Sequence, residues 1–524
     1  MHDSPAERQW LIESLLNPSL YDHPVSRFQV IETHISWVIL TGDFVYKIKK
    51  PVNFGFLDFS TLEKRRFYCL EELRLNRRLA PHLYLGLVTI SGSKEHLELN
   101  GPGAALEYAV KMVQFPQAAQ LDRLPPGEGL DPALMGRLAN RVAGFHLSVE
   151  CAPVDSDLGE ADQVRKTVME NFYHIRECTK NSEILLQLDE LERWSKQQLD
   201  DLATVIDERK ATGFVRECHG DMHLRNISLW QDEITIFDCI EFNKSLHFID
   251  VISEIAFLIM DLEVRKQASL GTRFLNTYMQ LTGDYEGLRL LKFYKVYRAL
   301  VRAKVDILRT DQEQPGSDEY AETFEDFYHY LDLAKDYTRE SSPWLIINHG
   351  VSGTGKSAGA RSLSDIIPAI QVSSDVERKR LFGDVANIRG AGFEKGIYSP
   401  DVTRQIYLRL VEIADCLLTA GYSVIVDATN LKLEQRELFT RLSEDLGVRC
   451  LILSYTASVE TLRHRVERRS IRGSDISDAT VAILEYQLAT CEPLSDKEKI
   501  STLEINTEDP FNVEKILRHL GKSS

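Results

Sequence analysis

Apolar residues recur along this chain with two periods, and the places where the period changes outline its elements. From Phe28 to Ile48 apolar and polar positions alternate, the two-residue period of half-buried strands. Gly42-Asp43 separates Ser36–Leu40 from Phe44–Ile48 and predicts a hairpin. A helix is predicted before it, over Ala6–Leu16, with Leu11, Leu15 and Leu16 on one side. Another is predicted over Leu62–Leu79, where Phe67, Leu70, Leu73 and Leu75 are roughly helically spaced among many Glu and Arg. Leu83–Ile90 and Glu107–Gln114 return to the strand pattern. From Leu134 the pattern is helical, through Val164–Ile175, Ile184–Asp207, Arg289–Leu308 and Tyr320–Thr338. A β-rich lobe followed by a large helical lobe is an α+β layout. After Glu340-Ser341-Ser342-Pro343, a linker-like stretch, strand and helix alternate. Strands are expected at Leu345–Ile347, Ala369–Val372, Tyr422–Val426 and Cys450–Tyr455, and helices at Ser357–Leu363, Val402–Ala420 and Val459–Arg472. Such alternation predicts an α/β domain with a parallel sheet and ligands at the carboxyl ends of its strands.

Length agrees with more than one core. The chain has 524 residues, and single hydrophobic cores stop growing well below that size. The division expected is 1–340, with a small lobe to about 115, and 341–524. The net charge of −17 is uneven: Pro343–Ser524 carries 23 basic and 25 acidic residues, so about −15 falls on the first 342. So acidic a first domain does not suit non-specific nucleic-acid binding. Eight scattered cysteines without a C-x-x-C pair signal neither zinc nor a disulfide framework, and a reducing, cytoplasmic setting is expected. The N-terminus lacks a basic region followed by an apolar core. The most apolar stretch, Phe248–Met260, is interrupted by Asp250 and Glu254 and is too short to span a bilayer, so no membrane partner is expected.

Two constellations carry chemistry. The first is Gly350-Val351-Ser352-Gly353-Thr354-Gly355-Lys356-Ser357, which fits G-x-x-x-x-G-K-[ST] and lies between a predicted strand and a predicted helix. Gly350, Gly353 and Gly355 let the backbone curl so that N–H groups, including those of Ser352 and Thr354, turn toward phosphate oxygens. The helix start adds its free N–H groups, Lys356 can reach the β- and γ-phosphates of ATP, and Ser357 can hold Mg²⁺. Asp375 and Asp427 follow two later strands beside this loop, with Asp427 the expected second metal ligand. Arg463, Arg465, Arg468, Arg469 and Arg472, followed by Gly473-Ser474, read as a mobile lid that closes on phosphates.

The second is His219-Gly220-Asp221-Met222-His223-Leu224-Arg225-Asn226, followed by an apolar strand ending in Asp238, then Glu241. It resembles H-R-D-x-x-x-x-N and D-F-G of protein kinases, and is closer to the H-G-D-x-H-x-x-N loop of the aminoglycoside phosphotransferase and choline kinase group. The resemblance implies a two-lobed kinase-like fold over about 340 residues. It implies that Asp221 accepts the substrate hydroxyl proton, that Asn226 and Asp238 hold Mg²⁺, that His219 and His223 brace the loop and that Asp250 is structural. It also implies a strand lysine paired with a helix glutamate. Lys47, or Lys49 on the same strand face, and Glu72, or its neighbour Glu71, are the candidates. The turn Thr33-His34-Ile35-Ser36 departs from the small or Gly-rich turn that the group places over the phosphates.

The last domain resembles the polynucleotide kinase and zeta-toxin kinase group in four places: the Gly350–Ser357 loop, Asp375-Val376-Glu377-Arg378, Asp427-Ala428-Thr429-Asn430 and the Arg-rich segment. The resemblance implies that Asp375 is the base for an acceptor hydroxyl and that Arg378 binds a substrate phosphate. Gluconate- and shikimate-type kinases share the scaffold, so the acceptor is a small molecule, a nucleotide or a nucleic-acid 5′-hydroxyl. Together the resemblances imply an ATP- and Mg²⁺-dependent phosphotransferase with two sites, the first acting on a small molecule. The alternatives are one catalytic site beside a sensor domain, or an ATP-gated switch.

Overall fold

The computed structural model describes residues 5–55, 57–93, 96–125, 129–310, 313–314, 316–383, 399–472 and 480–521. The chain up to Asp131, Gly144–Asp261 and Leu300–Phe327 form one compact unit; Pro132–Ala143, Leu262–Ala299 and the chain from Tyr328 onward form the other.

The first unit opens with an antiparallel sheet of six strands: β1 (Gln29–Glu32), β2 (Ser36–Leu40), β3 (Phe44–Lys49), β4 (Tyr84–Gly92), β5 (Leu97–Leu99) and β6 (Ala105–Val113). Their order across the sheet is β1-β2-β3-β6-β4-β5. The two-residue period of β3 sets what each face does. Tyr46 and Ile48 enter an apolar cluster with Ile39, Ile90, Ala109 and, from the N-terminal helix, Trp10 and Leu11. Lys47 and Lys49 face the other way, toward the helix Leu62–Asn76.

That helix turns only half of the expected apolar stripe inward. Phe67 and Leu70 are exposed, and the buried positions are Arg65, Cys69, Glu72, Leu73, Leu75 and Asn76. Arg65 is paired with Glu107, its Nε 2.8 Å from the carboxylate, and Glu72 with the two lysines. Ion pairs between helix and sheet therefore fix which face packs, which apolar spacing alone does not reveal.

Three further strand pieces build the loop region of this unit: β7 (Val215–Glu217), the hairpin of β8 (Ile227–Trp230) and β9 (Glu233–Ile236), and β10 (Phe248–Asp250), which pairs antiparallel with β7. The apolar stretch that begins at Phe248 splits into β10 and a buried helix, Val251–Val264.

The second unit holds a five-stranded sheet in the order β12-β13-β11-β14-β15, every neighbour parallel: β11 (Trp344–His349), β12 (Ala369–Ser373), β13 (Ser423–Asp427), β14 (Arg449–Thr456) and β15 (Thr502–Asn506). The edge strand β15 is short and half polar, and its pattern alone does not announce it. Ile346, Ile425, Leu453, Leu503 and Leu363 lie in one core cluster. β12 ends at Ser373, and Asp375 sits in the first turn of the next helix, Ser374–Phe382.

Candidate functional site

In the first unit the helix and sheet converge on a buried ionic cluster. Lys47 Nζ lies 2.9 Å from Glu72 Oε1 and 2.6 Å from Asp238 Oδ1. Lys49 Nζ lies 2.7 Å from Glu72 Oε2 and also contacts Glu241. Glu72 is fully buried, while Glu71 pairs with Arg74 near the surface. Of the candidates, Glu72 thus meets both lysines, and Lys47 is the one that reaches Asp238. Burial opposes the charge of Lys47, but Asp238, Glu72 and Glu241 outweigh it and keep its ammonium well above the usual lysine range. Burial likewise opposes the charge of Glu72, yet Lys47 and Lys49 hold it down to about 2. Glu241 is pushed up by burial against the pull of Lys49.

Asp238 follows β9 and adopts a left-handed backbone, φ +63°, which is uncommon for a residue with a side chain. Its N–H donates to the Tyr84 hydroxyl at 3.1 Å, and the N–H of Cys239 donates to Asn76 Oδ1 at 2.9 Å. These two bonds tie the bend to β4 and to the helix that carries Glu72.

The 219–226 loop is bonded to the same strand end. The Phe237 N–H donates to the Asn226 carbonyl at 3.0 Å, and His219 Nε2 lies 2.8 Å from the Phe237 carbonyl. Burial lowers His219 to about 4, so its ring is neutral and Nε2–H is the donor. Asn226 Nδ2 donates to the carbonyl and to Oδ2 of Asp221, both at 3.0 Å, and His223 Nε2 lies 3.3 Å from Asp221 Oδ2. Burial raises Asp221, but His223, through its charge and its hydrogen bond, outweighs burial and holds the carboxyl below the usual carboxylate range. Gly220 has φ +87°, and a Cβ there would stand 2.5 Å from the Leu246 carbonyl oxygen, so a side chain does not fit.

Two acids hold this loop: Glu254, read from sequence only as a charge that interrupts an apolar stretch, and Asp261, which the sequence reading does not name. The carboxylate of Glu254 accepts the N–H groups of His219 at 2.6 Å and Gly220 at 2.9 Å, and Asp261 Oδ2 accepts that of Leu224 at 2.8 Å. Both lie on the apolar helix Val251–Val264. An acid within such a helix is the signal: buried there, it needs donors. Asp250 pairs with Arg209 through both oxygens, at 2.7 and 3.0 Å, and accepts the Ile252 N–H.

In the second unit β11 runs into the 350–355 loop and the helix Lys356–Ser364. Gly353 and Gly355 have φ +88° and +87°; at Gly353 a Cβ would come 3.1 Å from the Leu462 carbonyl. The Gly350 N–H is taken by the Thr429 carbonyl at 3.1 Å and that of Ser352 by Gln487 Oε1 at 2.7 Å. The Thr354 N–H is likewise taken by the Val351 carbonyl at 3.4 Å, so the N–H groups of Gly350, Ser352 and Thr354 serve the loop's own fold here rather than turning toward a phosphate; the helix that starts at Lys356 has first-turn N–H groups with no partner within the helix. The Thr354 hydroxyl and Lys356 Nζ both donate to the Val351 carbonyl, at 2.8 and 2.9 Å. Burial lowers Lys356 to about 8, with Arg469 pushing the same way and Asp427 and Asp375 opposing.

Asp427 closes β13. Its Oδ2 accepts from Gln371 Nε2 at 2.8 Å and its Oδ1 from Asn348 Nδ2 at 3.3 Å, amides of the two flanking strands. Asp375 and Arg378 both act electrostatically on the buried Tyr407, whose hydroxyl accepts the Asn430 N–H at 3.0 Å. The arginines of the helix Val459–Arg472 separate. Arg465 bonds the Gly353 carbonyl at 3.3 Å and Thr507 at 2.8 Å; Arg469 acts on Lys356; Arg468 is exposed; Arg463 pairs with Glu485. The Arg472 side chain and Gly473-Ser474 lie outside the described residues.

Residues 345–494 match the family model described as an AAA domain. A sugar kinase from Janibacter sp. HTCC2649 is 25% identical, aligned over 34% of this chain and 95% of its own, with a TM-score of 0.27. The amicoumacin kinase hAmiN is 15% identical over 63% of this chain and 94% of its own, with a TM-score of 0.39. A choline/ethanolamine kinase family protein from Mesorhizobium loti is 12% identical over 63% and 99%, with a TM-score of 0.37. Across nearly the whole chain, Uncharacterized protein Rv2004c of Mycobacterium tuberculosis (strain ATCC 25618 / H37Rv) and Uncharacterized protein Mb2027c of Mycobacterium bovis are each 30% identical over 473 residues, 89% of this chain and 92% of theirs. The paired loop-and-strand site and the phosphate-loop site therefore stand in a chain that belongs to the same family as these two mycobacterial proteins.

Proposed function

We propose that this protein is an ATP-dependent phosphotransferase with two kinase-type sites, each delivering a γ-phosphoryl group to a hydroxyl. The observation that carries the reading is the joining of Lys47, Glu72 and Asp238 in one cluster, with the Asp221–Asn226 loop bonded to the strand end that bears Asp238. Phosphoryl transfer is mostly positioning and charge stabilisation, and these groups would supply it with a fixed cation, a base and oxygen ligands.

In the first unit Lys47 would hold nucleotide phosphates and Asp221 would take the acceptor proton. Asn226 spends its amide nitrogen on Asp221, which leaves its amide oxygen for a cation, and Asp238, the residue after the Phe237 N–H that bonds the Asn226 carbonyl, would supply a second oxygen. Such an all-oxygen set fits a hard divalent cation such as Mg²⁺, which when bound would neutralise phosphate charge. In the second unit Lys356 and the helix start would bind phosphate, Ser357 and Asp427 are the matching oxygen pair, Asp375 is the base, and Arg378, Arg465 and Arg469 meet phosphate charge. The first acceptor is a small molecule; the second is a small molecule, nucleotide or nucleic-acid 5′-hydroxyl. All eight cysteines are free thiols, which supports a reducing, cytoplasmic setting. Among the described residues no helix is long and apolar enough to cross a membrane.

The test is transfer from γ-labelled ATP across an acceptor library by the full-length protein and its Asp221→Asn and Asp375→Asn variants. Each variant is expected to lose a different acceptor set. Two variants that retain every product made by the native protein would overturn both base assignments.

A further inference from the structure

β12 is an edge strand, paired with β13 on one side only. Its other edge meets the helix Ala268–Thr282 of the same compact unit. The contact is made by Asn276, whose side chain is buried. Its Nδ2 donates to the Ala369 carbonyl at 2.9 Å, and its Oδ1 accepts the Gln371 N–H at 2.7 Å. A carbonyl and an N–H two residues apart are the pair that one residue of a neighbouring parallel strand would satisfy. The Asn276 carboxamide thus stands in for a sixth strand at that point. Arg273 on the same helix adds a two-point pair with Asp365, Nε to Oδ1 at 3.0 Å, and Arg380 returns a bond to the Gln280 carbonyl at 2.8 Å.

The residue whose peptide Asn276 fixes also reaches the phosphate-loop site. Gln371 is buried, and its Nε2 holds Asp427 Oδ2 at 2.8 Å. Asp427 in turn shares the Asn348 side-chain amide with the Lys356 carbonyl, at 3.3 and 3.4 Å. A side chain on a strand follows its own backbone, so the Gln371 amide aims at Asp427 only while the β12 edge is held in place.

We propose that Asn276 is a positioning residue of the phosphate-loop site: through Gln371 it sets the orientation of the Asp427 carboxylate, so that site is complete only with the 268–282 helix docked on β12. The proposal rests on the reading of that site as a nucleotide–Mg²⁺ site. Partners behind metal ligands typically change metal affinity about tenfold to a hundredfold.

The experiment measures ATP binding to the full-length protein by calorimetry, with Mg²⁺ and with EDTA, alongside ligand-free melting. Lys47→Ala is placed in every sample to remove the first unit's phosphate contact. Gln371→Ala is expected to cut the Mg²⁺-dependent gain in affinity about tenfold and to leave binding in EDTA unchanged. Asn276→Ala should do the same, and the double variant should be no worse than Gln371→Ala alone. Asn276→Asp keeps the volume but sets a carboxylate against the Ala369 carbonyl. It should also lose the gain, and it serves if Asn276→Ala does not fold. A native Mg²⁺ gain in a folded Asn276 variant whose melting temperature alone has dropped overturns the proposal, as does an additive double variant. Absence of ATP binding in the parent protein, with or without Mg²⁺, would instead overturn the nucleotide reading itself.

Discussion

Glu72 receives one ammonium on each carboxylate oxygen: Lys47 at 2.9 Å on Oε1 and Lys49 at 2.7 Å on Oε2. The two lysines differ in their other partners. Lys47 reaches out to the half-exposed Asp238, whereas Lys49 is enclosed by Glu72 and Glu241. On the proposed function, Lys47 serves ligand chemistry and Lys49 the fold. Lys47→Ala is expected to remove transfer by the first unit with a modest loss of stability. Lys49→Ala leaves two buried carboxylates short of a cation and should cost about 3–5 kcal/mol. Thermal or urea unfolding beside single-site activity separates the two; equal destabilisation by both would refute the division.

Lys356 gives a pH prediction for the second site. Its ammonium is lowered to about 8, and a bound phosphate would raise it, so the free protein loses the binding-competent form as pH climbs through 8. ATP affinity at that site should be flat near pH 7 and weaker by about tenfold at pH 9, where roughly one molecule in ten keeps the proton. Lys356→Ala should bind weakly at every pH. A native pH dependence in that variant would show that another group titrates.

Asp375 stands in a first helical turn near Tyr407 and acts on Lys356 without being one of its hydrogen-bond partners. Asp375→Asn is therefore expected to keep ATP binding and to lower transfer by at least about 10²-fold, the usual contribution of a placed base. Transfer within about threefold of native would remove Asp375 from the chemistry.

Asp306 is buried, with Oδ2 unpartnered and Oδ1 3.6 Å from Arg302, and burial raises it to about 6. Between its unfolded value near 3.8 and 6 the folded chain binds more protons than the unfolded one. Stability from this group is thus full below pH 4 and lost as pH rises through 6. Asp306→Asn should remove that loss, gaining about 1–3 kcal/mol at pH 7.5 relative to pH 4 in matched unfolding curves. Parallel curves at all pH values would contradict the burial effect.

Local pattern settled much of this protein. The strand–loop–helix around Gly350–Ser357 is legible because the glycines, the lysine and the apolar run before them act within one turn of chain. The 219–226 loop and the strand end at Asp238 are legible for the same reason, since the groups lie within a short span of chain. The hairpin at Gly42-Asp43 is local too. What sequence could not decide depends on distant partners. Lys47 and Lys49 look alike along β3, and only the placement of Asp238 and Glu241, about 190 residues away in the chain, tells them apart. Glu71 and Glu72 are adjacent, and helix rotation against the sheet decides which is buried; that rotation is set by buried ion pairs, to which an apolar-periodicity reading is blind. The link from Asn276 to Gln371 to Asp427 has no local signal, because it arises where a helix meets the open edge of a sheet. Sequence determined which chemical groups are present and which turns they sit on; tertiary packing decided which of them share a charge.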